Sequence, residues 1–436
     1  MAERKPEAAM VSESTLKQGR SLSRNRSDME KGVPGQRLTD KSAFPKTDVS
    51  FEDTAIAFKN KSDTELFLSY LIFRLTKNPF LVKVLSKAAK ITLALGLPVK
   101  PIIKATVFRQ FCGGEKKEEY EKVISELGRA SIGTILDYSV EGSEDETGFE
   151  STMKQLLHLI EQSKSDPNIP CTCMKMTAIA PVELLETVSS GKTLSEKDRH
   201  EWKEVEDRLD LICSASFAAD KPIYIDAEES WIQDPIDDLI EAMMAKYNTG
   251  CAIVFTTLQL YRWDRNDYFK RLIETARAKG FKLGIKIVRG AYLEKERDRA
   301  KRMGYPSPIH ASKSETDEAY NRAVQIFVEH IDLVEICVGT HNEESCRLMV
   351  SYMNENDLPR NHPHIFFSQL YGMSDTISFN LSSAGYNVSK YLPFGPVEST
   401  LPYLTRRAEE NTAIAGQMSK ELEIIEKERR RRKLNL

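Results

Sequence analysis

The sequence predicts an α/β protein, a (β/α)8 barrel of the TIM type that is preceded by an α-helical N-terminal region. Short runs rich in β-branched and aromatic residues alternate with amphipathic helical segments from residue 131 onward. There are eight such runs, which favours one closed parallel barrel over an open doubly wound sheet. No GxGxxG sequence follows any of these runs, which argues against a Rossmann dinucleotide site.

The composition is that of a large globular protein. The chain has 436 residues, more than a typical domain, and 41% of them are hydrophobic, enough for a substantial core. Its 62 Lys and Arg against 65 Asp and Glu give a net charge of −3, so charge-driven nucleic-acid binding is not indicated. No apolar run approaches the roughly 18 residues of a membrane-spanning helix. The seven cysteines form no CxxC pair and the seven histidines no ligand cluster, so we expect free thiols and no metal.

The eight runs alternate regularly with helical segments. Helices are expected at 149–166 and at 267–280, the second one ending at Gly280. The predicted strands are TILDYSV (134–140), CMKMTAI (173–179), IYIDAEE (223–229), AIVFTTL (252–258), GIKIVRG (284–290), EICVGT (335–340), IFFSQL (365–370) and YLPFG (391–395).

The chain divides into four regions: a flexible extension (1–50), a helical region (51–130), the barrel (131–420) and a basic tail (421–436). The extension is rich in Ser, Arg, Lys, Gly and Pro, and acids such as Glu3, Glu7 and Asp28 argue against the alternative of a mitochondrial presequence. In the helical region, Ser62 and Glu65 predict a capping box. Its interleaved lysines suit either packing on the barrel, which we favour, or contact with a membrane surface.

Polar residues collect where the predicted strands end. In a parallel barrel these ends converge on one mouth, where the site of a barrel enzyme lies. Charged residues within apolar runs are costly unless they are paired or functional. Alternatively, these residues could form a structural ring of mutually neutralising ion pairs. Because so many strands contribute a polar residue at the same end, we favour a functional site. The residues are Lys175, Asp226 with Glu228 and Glu229, Gln259, Arg289, Gly290, Ala291, His341, Asn342, Gln369, Gly372 and Tyr391.

The helix after the last strand has a distinct pattern. Tyr403, Arg407 and Glu410 are spaced to share one helical face, with Arg406 one step aside. Two adjacent arginines can bind one carboxylate in a bidentate manner, and Glu410 could hold either of them in place. Because the segment directly follows the eighth strand, we interpret it as a lid over the barrel mouth.

Seven segments, in this order, resemble the flavin-dependent proline dehydrogenase family in its monofunctional form. They are MKMTAIAP, IDAEES, VRGAYLEKER with GYPSP downstream, KSETDEAYNRA, GTHN, SQLYGMSD and YLPFGPVESTLPYLTRRAEEN. The resemblance covers roughly residues 51–420 and excludes the extension and the tail EKERRRRK (426–433). It implies a distorted barrel with FAD across the strand ends.

The resemblance also implies a substrate site. Arg406, Arg407 and Lys175 would bind the proline carboxylate, and Tyr391 and Tyr403 would pack on the pyrrolidine ring. In addition, Asp226 would organise the pocket. Relatives that prefer hydroxyproline carry a smaller residue at the position of Tyr391, so the tyrosine favours proline.

The implied FAD site uses residues from the later strands. Arg289 would lie beside the flavin N5 atom and Gln259 would contact the ring. The remaining implied cofactor contacts are Gly290, Ala291, Tyr292, Lys313, Thr316, His341, Asn342 and Gln369.

The implied reaction is oxidation of L-proline to Δ1-pyrroline-5-carboxylate by hydride transfer from C5 to FAD, with electrons passed to a membrane quinone. A separate pyrroline-5-carboxylate dehydrogenase would then take the product. A dehydrogenase for 4-hydroxyproline or another cyclic imino acid, and a barrel that serves only as a scaffold, are the alternatives. The expected location is the cytoplasmic face of a bacterial inner membrane, with peripheral contact; a mitochondrial matrix or inner-membrane setting is the alternative.

Overall fold

A computed structural model of the chain describes residues 49–95, 98–139, 146–413 and 417–434. Eight parallel strands close into a barrel in sequence order, and the first strand pairs with both the second and the eighth. The predicted barrel is therefore confirmed. The strands are β1 (Ile132–Tyr138), β2 (Cys171–Lys175), β3 (Ile223–Asp226), β4 (Val254–Gln259), β5 (Leu283–Val288), β6 (Val334–Gly339), β7 (Ile365–Leu370) and β8 (Val388–Phe394).

Some predicted strand limits are wrong. The second strand was expected at 173–179, but β2 ends at Lys175 and a 3-10 turn follows at Met176–Ala178. The reason is a long-range contact, because the backbone N–H of Thr177 donates to the Glu228 carboxylate at 2.9 Å instead of extending the ladder. The third strand likewise ends at Asp226, three residues before its predicted limit.

Helices of 3 to 16 residues form the described N-terminal region. The predicted capping box is confirmed: Ser62 N donates to Glu65 Oε2 at 3.0 Å, and Glu65 N donates to Ser62 Oγ at 3.3 Å. A π-helical turn at Lys104–Phe108 joins the fourth and fifth helices. The helices are α1 (Thr54–Ala57), α2 (Asp63–Thr76), α3 (Pro79–Ala94), α4 (Lys100–Ile103), α5 (Arg109–Phe111) and α6 (Lys117–Gly128).

A second set of helices surrounds the barrel and covers the outer face of the strands. Burial on both faces explains why the strands are continuous apolar runs rather than alternating ones. The helix at Arg265–Lys279 ends at Gly280, whose φ is 75°, as predicted. The helices are α7 (Glu146–Ser165), α8 (Val182–Ser189), α9 (Glu196–Ala219), α10 (Ser230–Tyr247), α11 (Arg265–Lys279), α12 (Leu293–Met303), α13 (Lys313–Glu329), α14 (Glu343–Glu355) and α15 (Asp375–Ser383).

Two further helices, α16 (Val397–Ala413) and α17 (Gln417–Arg431), follow β8. Buried residues of α2, such as Phe73, pack in one apolar cluster with Tyr403 of α16 and Ile425 of α17. The N-terminal helices therefore contact the segment that we predicted as a lid. None of the described helices has the length and hydropathy needed to cross a bilayer.

The basic C-terminal segment belongs largely to α17, and the predicted boundary at residue 421 falls inside this helix. Arg431 and Arg432 each donate to the buried carboxylate of Glu428 at 2.7 Å. Arg432 also donates to the carbonyl oxygens of Phe58 and Lys61, at 2.6 and 2.8 Å. These contacts fix the segment against the N-terminal helices. The predicted peripheral contact of the protein with a membrane stays a prediction, as do the properties of residues 1–50.

Candidate active site

A cavity of about 560 Å³ opens at the carboxyl ends of β1, β2 and β3. Lys175, Glu228 and Tyr292 line it together with Asp137 and Trp231. Strand register places Lys175 directly opposite Asp226 on β3. The cavity therefore lies where the parallel topology predicts a barrel site.

Asp226 is the centre of a buried network. Its Oδ2 accepts a hydrogen bond from the Tyr391 hydroxyl at 2.9 Å, and its Oδ1 forms an ion pair with Lys286. Burial acts to raise the pKa of Asp226, but the charges of Lys286 and Lys175 outweigh it and hold the pKa below its usual value. Burial similarly opposes the charge of Lys286, yet Asp226 raises the pKa of this lysine. The pair is therefore ionised at neutral pH.

Our sequence analysis missed Lys286. It lies inside β5, only 5% exposed, with its ammonium group 5.3 Å from the centroid of the Tyr391 ring. The signal was present in GIKIVRG, where one lysine interrupts an apolar strand. A charge in that position requires a buried counter-ion, and Asp226 supplies it.

Glu228, which the sequence placed beside Asp226 without a role, is a second buried carboxyl group. It accepts hydrogen bonds from the backbone N–H and the hydroxyl of Thr177 at 2.9 and 2.5 Å. Burial raises its pKa to about 7, against the opposing effect of those hydrogen bonds and of Lys175. Glu228 can therefore gain or lose a proton near neutral pH.

Gln259 joins the loops that follow β3 and β5. Its Nε2 donates to the Glu228 carbonyl at 2.7 Å, and its Oε1 accepts from the Ala291 N–H at 2.9 Å. In the loop that follows β5, Gly290 has φ 142°, and a Cβ at this position would lie 2.4 Å from the ring of Tyr261. Only glycine fits this close approach.

Arg289 lies at the ends of β5 and β6. Its guanidinium donates to Asp317 at 2.7 Å, to the Thr340 hydroxyl at 2.6 Å and to the Ser345 hydroxyl at 3.1 Å. Asp317 also binds Lys313 at 2.5 Å. Two cations, Arg289 and Lys313, thus share the Asp317 carboxylate.

Two helices begin at this edge. Thr316 lies in the first turn of α13, where its hydroxyl donates to the Ser312 carbonyl at 3.3 Å. Asn342 is the N-cap of α14, and its Oδ1 accepts from the Ser345 N–H at 3.1 Å. The amino ends of these helices, together with Arg289, suit a ligand that carries phosphate groups.

His341 contacts the C-terminal helix indirectly. Its Nδ1 is 2.8 Å from the Ser374 hydroxyl, and Ser374 donates from both its N–H and its hydroxyl to Glu421 of α17, at 2.8 and 3.1 Å. Gln369, by contrast, donates to the Thr340 carbonyl and accepts from Ser378 of α15. The amide of Gln369 is thus engaged within the protein. Sequence reasoning missed Glu421, because a glutamate on a charged terminal helix carries no distinguishing pattern.

The structure brings the predicted residues into two groups. Lys175, Asp226 and Tyr391 lie together, and Tyr403 is near enough to contribute to the raised pKa of the Tyr391 phenol, of which burial is the main cause. Around Gln259 and Arg289 lie the residues predicted to bind FAD. The side chains of Arg406, Arg407 and Glu410 fall outside the described part of the structure. Within the described ranges, no three His, Cys, Asp or Glu residues converge as a metal site.

The barrel and the buried charge cluster at its mouth define a (β/α)8-barrel enzyme. Residues 120–420 match the family described as proline dehydrogenase, and the chain belongs to that family.

Two relatives extend the comparison. The chain is 32% identical to mitochondrial proline dehydrogenase 1 of Dictyostelium discoideum, over 87% of this chain and 74% of the relative. It is 30% identical to hydroxyproline dehydrogenase of Xenopus laevis, over 89% of this chain and 91% of the relative.

A solved structure has the same fold. Proline utilization A (PutA) from Bdellovibrio bacteriovorus, inactivated by N-propargylglycine, superposes with a TM-score of 0.66 at 18% identity. The match covers 94% of this chain but 43% of that longer one. At this identity the likeness concerns the fold alone.

Proposed function

We propose that this family member oxidises L-proline to Δ1-pyrroline-5-carboxylate, using FAD, as the first step of proline catabolism. The observation that carries the proposal is the network of Lys175, Asp226, Lys286 and Tyr391, of which Lys175 also lines the cavity. An ammonium group on the cavity wall can bind a small carboxylate substrate.

Each residue of the cluster has a role in this proposal. Lys175, with the predicted clamp Arg406 and Arg407, binds the proline carboxylate. Asp226 holds Lys286 and the Tyr391 hydroxyl, so that the tyrosine ring keeps a fixed orientation against the substrate. Orientation of this kind is a large part of what a protein contributes to a cofactor reaction.

The residues at the β5 and β6 ends fit FAD. Arg289, Lys313 and the amino ends of α13 and α14 offer positive charge and N–H groups to a pyrophosphate. Gln259, held between the Glu228 carbonyl and the Ala291 N–H, would contact the flavin ring. When bound there, FAD would supply the two-electron acceptor for the hydride of proline C5, while the proton of the amine nitrogen would be lost to solvent.

Further steps of the proposal concern what lies outside this chain. A membrane quinone takes the electrons, which requires peripheral contact with a bilayer, and a separate pyrroline-5-carboxylate dehydrogenase consumes the product. The proposed location is the cytoplasmic face of a bacterial inner membrane. The mitochondrial name of the Dictyostelium relative supports the mitochondrial alternative.

The test measures kcat/KM for L-proline and for trans-4-hydroxy-L-proline with a soluble dye as electron acceptor. We expect L-proline to be the better substrate by at least tenfold, because Tyr391 fills the ring position. The Xenopus relative makes hydroxyproline the second candidate. A preference for hydroxyproline would identify hydroxyproline as the substrate instead of proline. A lack of activity with both compounds would refute the proposal.

A further inference from the structure

The barrel mouth holds a further carboxyl group, which our sequence analysis did not single out. Asp137 lies near the end of β1 and is 3% exposed. Strand register pairs Asp137 with Cys173 of β2, two residues before Lys175. It also pairs Ile135, two residues before Asp137, with Tyr391 of β8. Because the side chains of a strand alternate between its two faces, Asp137, Lys175 and Tyr391 point to the same, inner side of the barrel.

Asp137 lies beside two residues that the proposed function uses. It lines the cavity together with Lys175. It is also near the Tyr391 phenol, because burial is the main cause of the raised pKa of this phenol and the charge of Asp137 is the next. Asp137 is thus close to the ammonium group proposed to bind the substrate carboxylate and to the ring proposed to pack on the pyrrolidine.

Two neighbouring carboxyl groups are engaged within the protein. Asp226 forms an ion pair with Lys286 and accepts a hydrogen bond from a tyrosine hydroxyl. Both carboxylate oxygens of Glu228 accept hydrogen bonds from Thr177. Protein groups therefore already match these two acids.

Asp137 differs from them in its surroundings. Its Oδ2 accepts a hydrogen bond from the Ser139 hydroxyl, which carries no charge. Within the described ranges of the chain, no lysine, arginine or histidine forms an ion pair with Asp137. A carboxylate that is buried without a counter-ion is costly. A cationic group on a bound ligand would supply the missing counter-ion.

We propose that Asp137 binds the positively charged ring nitrogen of the substrate, and that Asp137 and Lys175 together make the site specific for a zwitterionic imino acid. The two residues project from neighbouring strands, about 4.8 Å apart, so that opposite charges face one small cavity. An α-imino acid presents its own opposite charges across a single carbon atom. The inference rests on the proposed function and deepens it, because it assigns the group that recognises the nitrogen.

The same contact suits the substrate and the product. Oxidation passes a hydride, with both electrons of the C5–H bond, from proline to FAD, and releases one proton from the nitrogen to solvent. The electron pair that this proton leaves on the nitrogen forms the C5=N bond. The nitrogen is therefore an ammonium group before the step and a protonated imine after it, with a positive charge in both. Loss of Asp137 should consequently raise KM rather than lower kcat.

Isothermal titration calorimetry of the FAD-loaded full-length protein tests the inference. The flavin is reduced beforehand and oxygen is excluded, so that proline binds without being oxidised. The two ligands are L-proline and cyclopentanecarboxylate, which has the same carboxylate on a five-membered ring without nitrogen. We expect the wild type to bind L-proline at least about tenfold more tightly, because only proline can form a charge-assisted hydrogen bond with Asp137.

The variant Asp137→Asn removes the charge but keeps the size of the side chain and an oxygen for the Ser139 hydroxyl. Its affinity for L-proline should fall at least about tenfold. Cyclopentanecarboxylate should bind as before or more tightly, because a negative charge has left the site of an anion. In the dye assay, KM for proline should rise by about the same factor while kcat stays within about threefold of the wild type.

The matched control is Asp267→Asn, the same change at a side chain of α11 that is 86% exposed. This control should bind both ligands like the wild type. Damage to the fold in Asp137→Asn would weaken both ligands together, whereas the proposed role weakens L-proline alone.

The outcomes separate this inference from the proposed function. A wild type that binds the two ligands equally would overturn the inference without any variant. So would an Asp137→Asn variant that keeps the preference for L-proline or that loses both ligands in parallel. A wild type that prefers L-proline through Asp137, yet reduces no dye with it, would refute the proposed function and leave this inference standing.

Discussion

Replacement of Lys286 by Met tests the buried charge network most severely. The change leaves the Asp226 carboxylate without the ammonium group that neutralises it, while the Tyr391 hydroxyl and Lys175 remain. Removing one partner of a buried ion pair costs about 3–5 kcal/mol. Because two partners are left, we expect the lower value, about 3 kcal/mol in the free energy of unfolding at neutral pH.

The pH dependence follows from the lowered pKa of Asp226. In the wild type, the network stabilises the fold above the usual carboxylate pKa, and this is lost as the pH falls through the lower folded value. In the variant, burial raises the pKa of Asp226, so protonation relieves the uncompensated charge. The difference between variant and wild type is therefore largest at neutral pH and shrinks on acidification.

The assay is urea unfolding followed by circular dichroism, at about pH 7 and about pH 5. Lys270→Met is the control, because Lys270 forms only an exposed pair with Asp267 at 3.5 Å and should change stability by less than about 1 kcal/mol. Adding Asp226→Asn to Lys286→Met should recover part of the loss. A Lys286→Met variant with wild-type stability at neutral pH would refute the network.

Three further predictions concern binding and backbone geometry. Arg407→Ala should raise the KM for proline at least tenfold while FAD stays bound, and an unchanged KM would contradict the carboxylate clamp. Glu421→Ala should weaken FAD retention severalfold, measured by gel filtration and absorbance, because it releases the hydroxyl that holds His341; an unaffected FAD content would exclude that role. Gly290→Ala should destabilise the fold by about 2 kcal/mol, since its Cβ would collide with a tyrosine ring. Its control, Gly250→Ala, faces open space, and equal melting temperatures for the two variants would contradict the collision.

The alternation of strands and helices made the barrel predictable, because each strand is a buried and largely apolar run; β2, β3 and β4 also end at a polar residue. The same rule found Asp226 and Gln259, whose side chains do lie at the mouth. The rule failed for Lys286, because this residue lies in the interior of its strand. Only the closed barrel shows that Lys286 forms an ion pair with Asp226. It also failed for Glu421, which reaches His341 through Ser374 from a helix more than 70 residues later in the sequence.

Other features depended on packing that no local pattern encodes. The basic segment at the end of the chain was predicted only as a basic tail, yet Glu428 pairs with two of its arginines, and Arg432 also binds residues 58, 61 and 63 of the N-terminal region. The strand limit at Lys175 depends on the distant Glu228 carboxylate, which takes the N–H of Thr177. Long-range hydrogen bonds of this kind appear only when the fold is complete.

The central claim is that the cavity at the barrel mouth binds proline against a flavin. The most direct measurement is the visible spectrum of the purified protein, loaded with FAD and titrated with L-proline in the absence of oxygen. The account predicts a bound flavin whose oxidised absorption band bleaches with L-proline, and a Lys175→Met variant that needs far more proline for the same bleaching. A protein that binds no FAD, or whose bound flavin is indifferent to proline, would contradict the account.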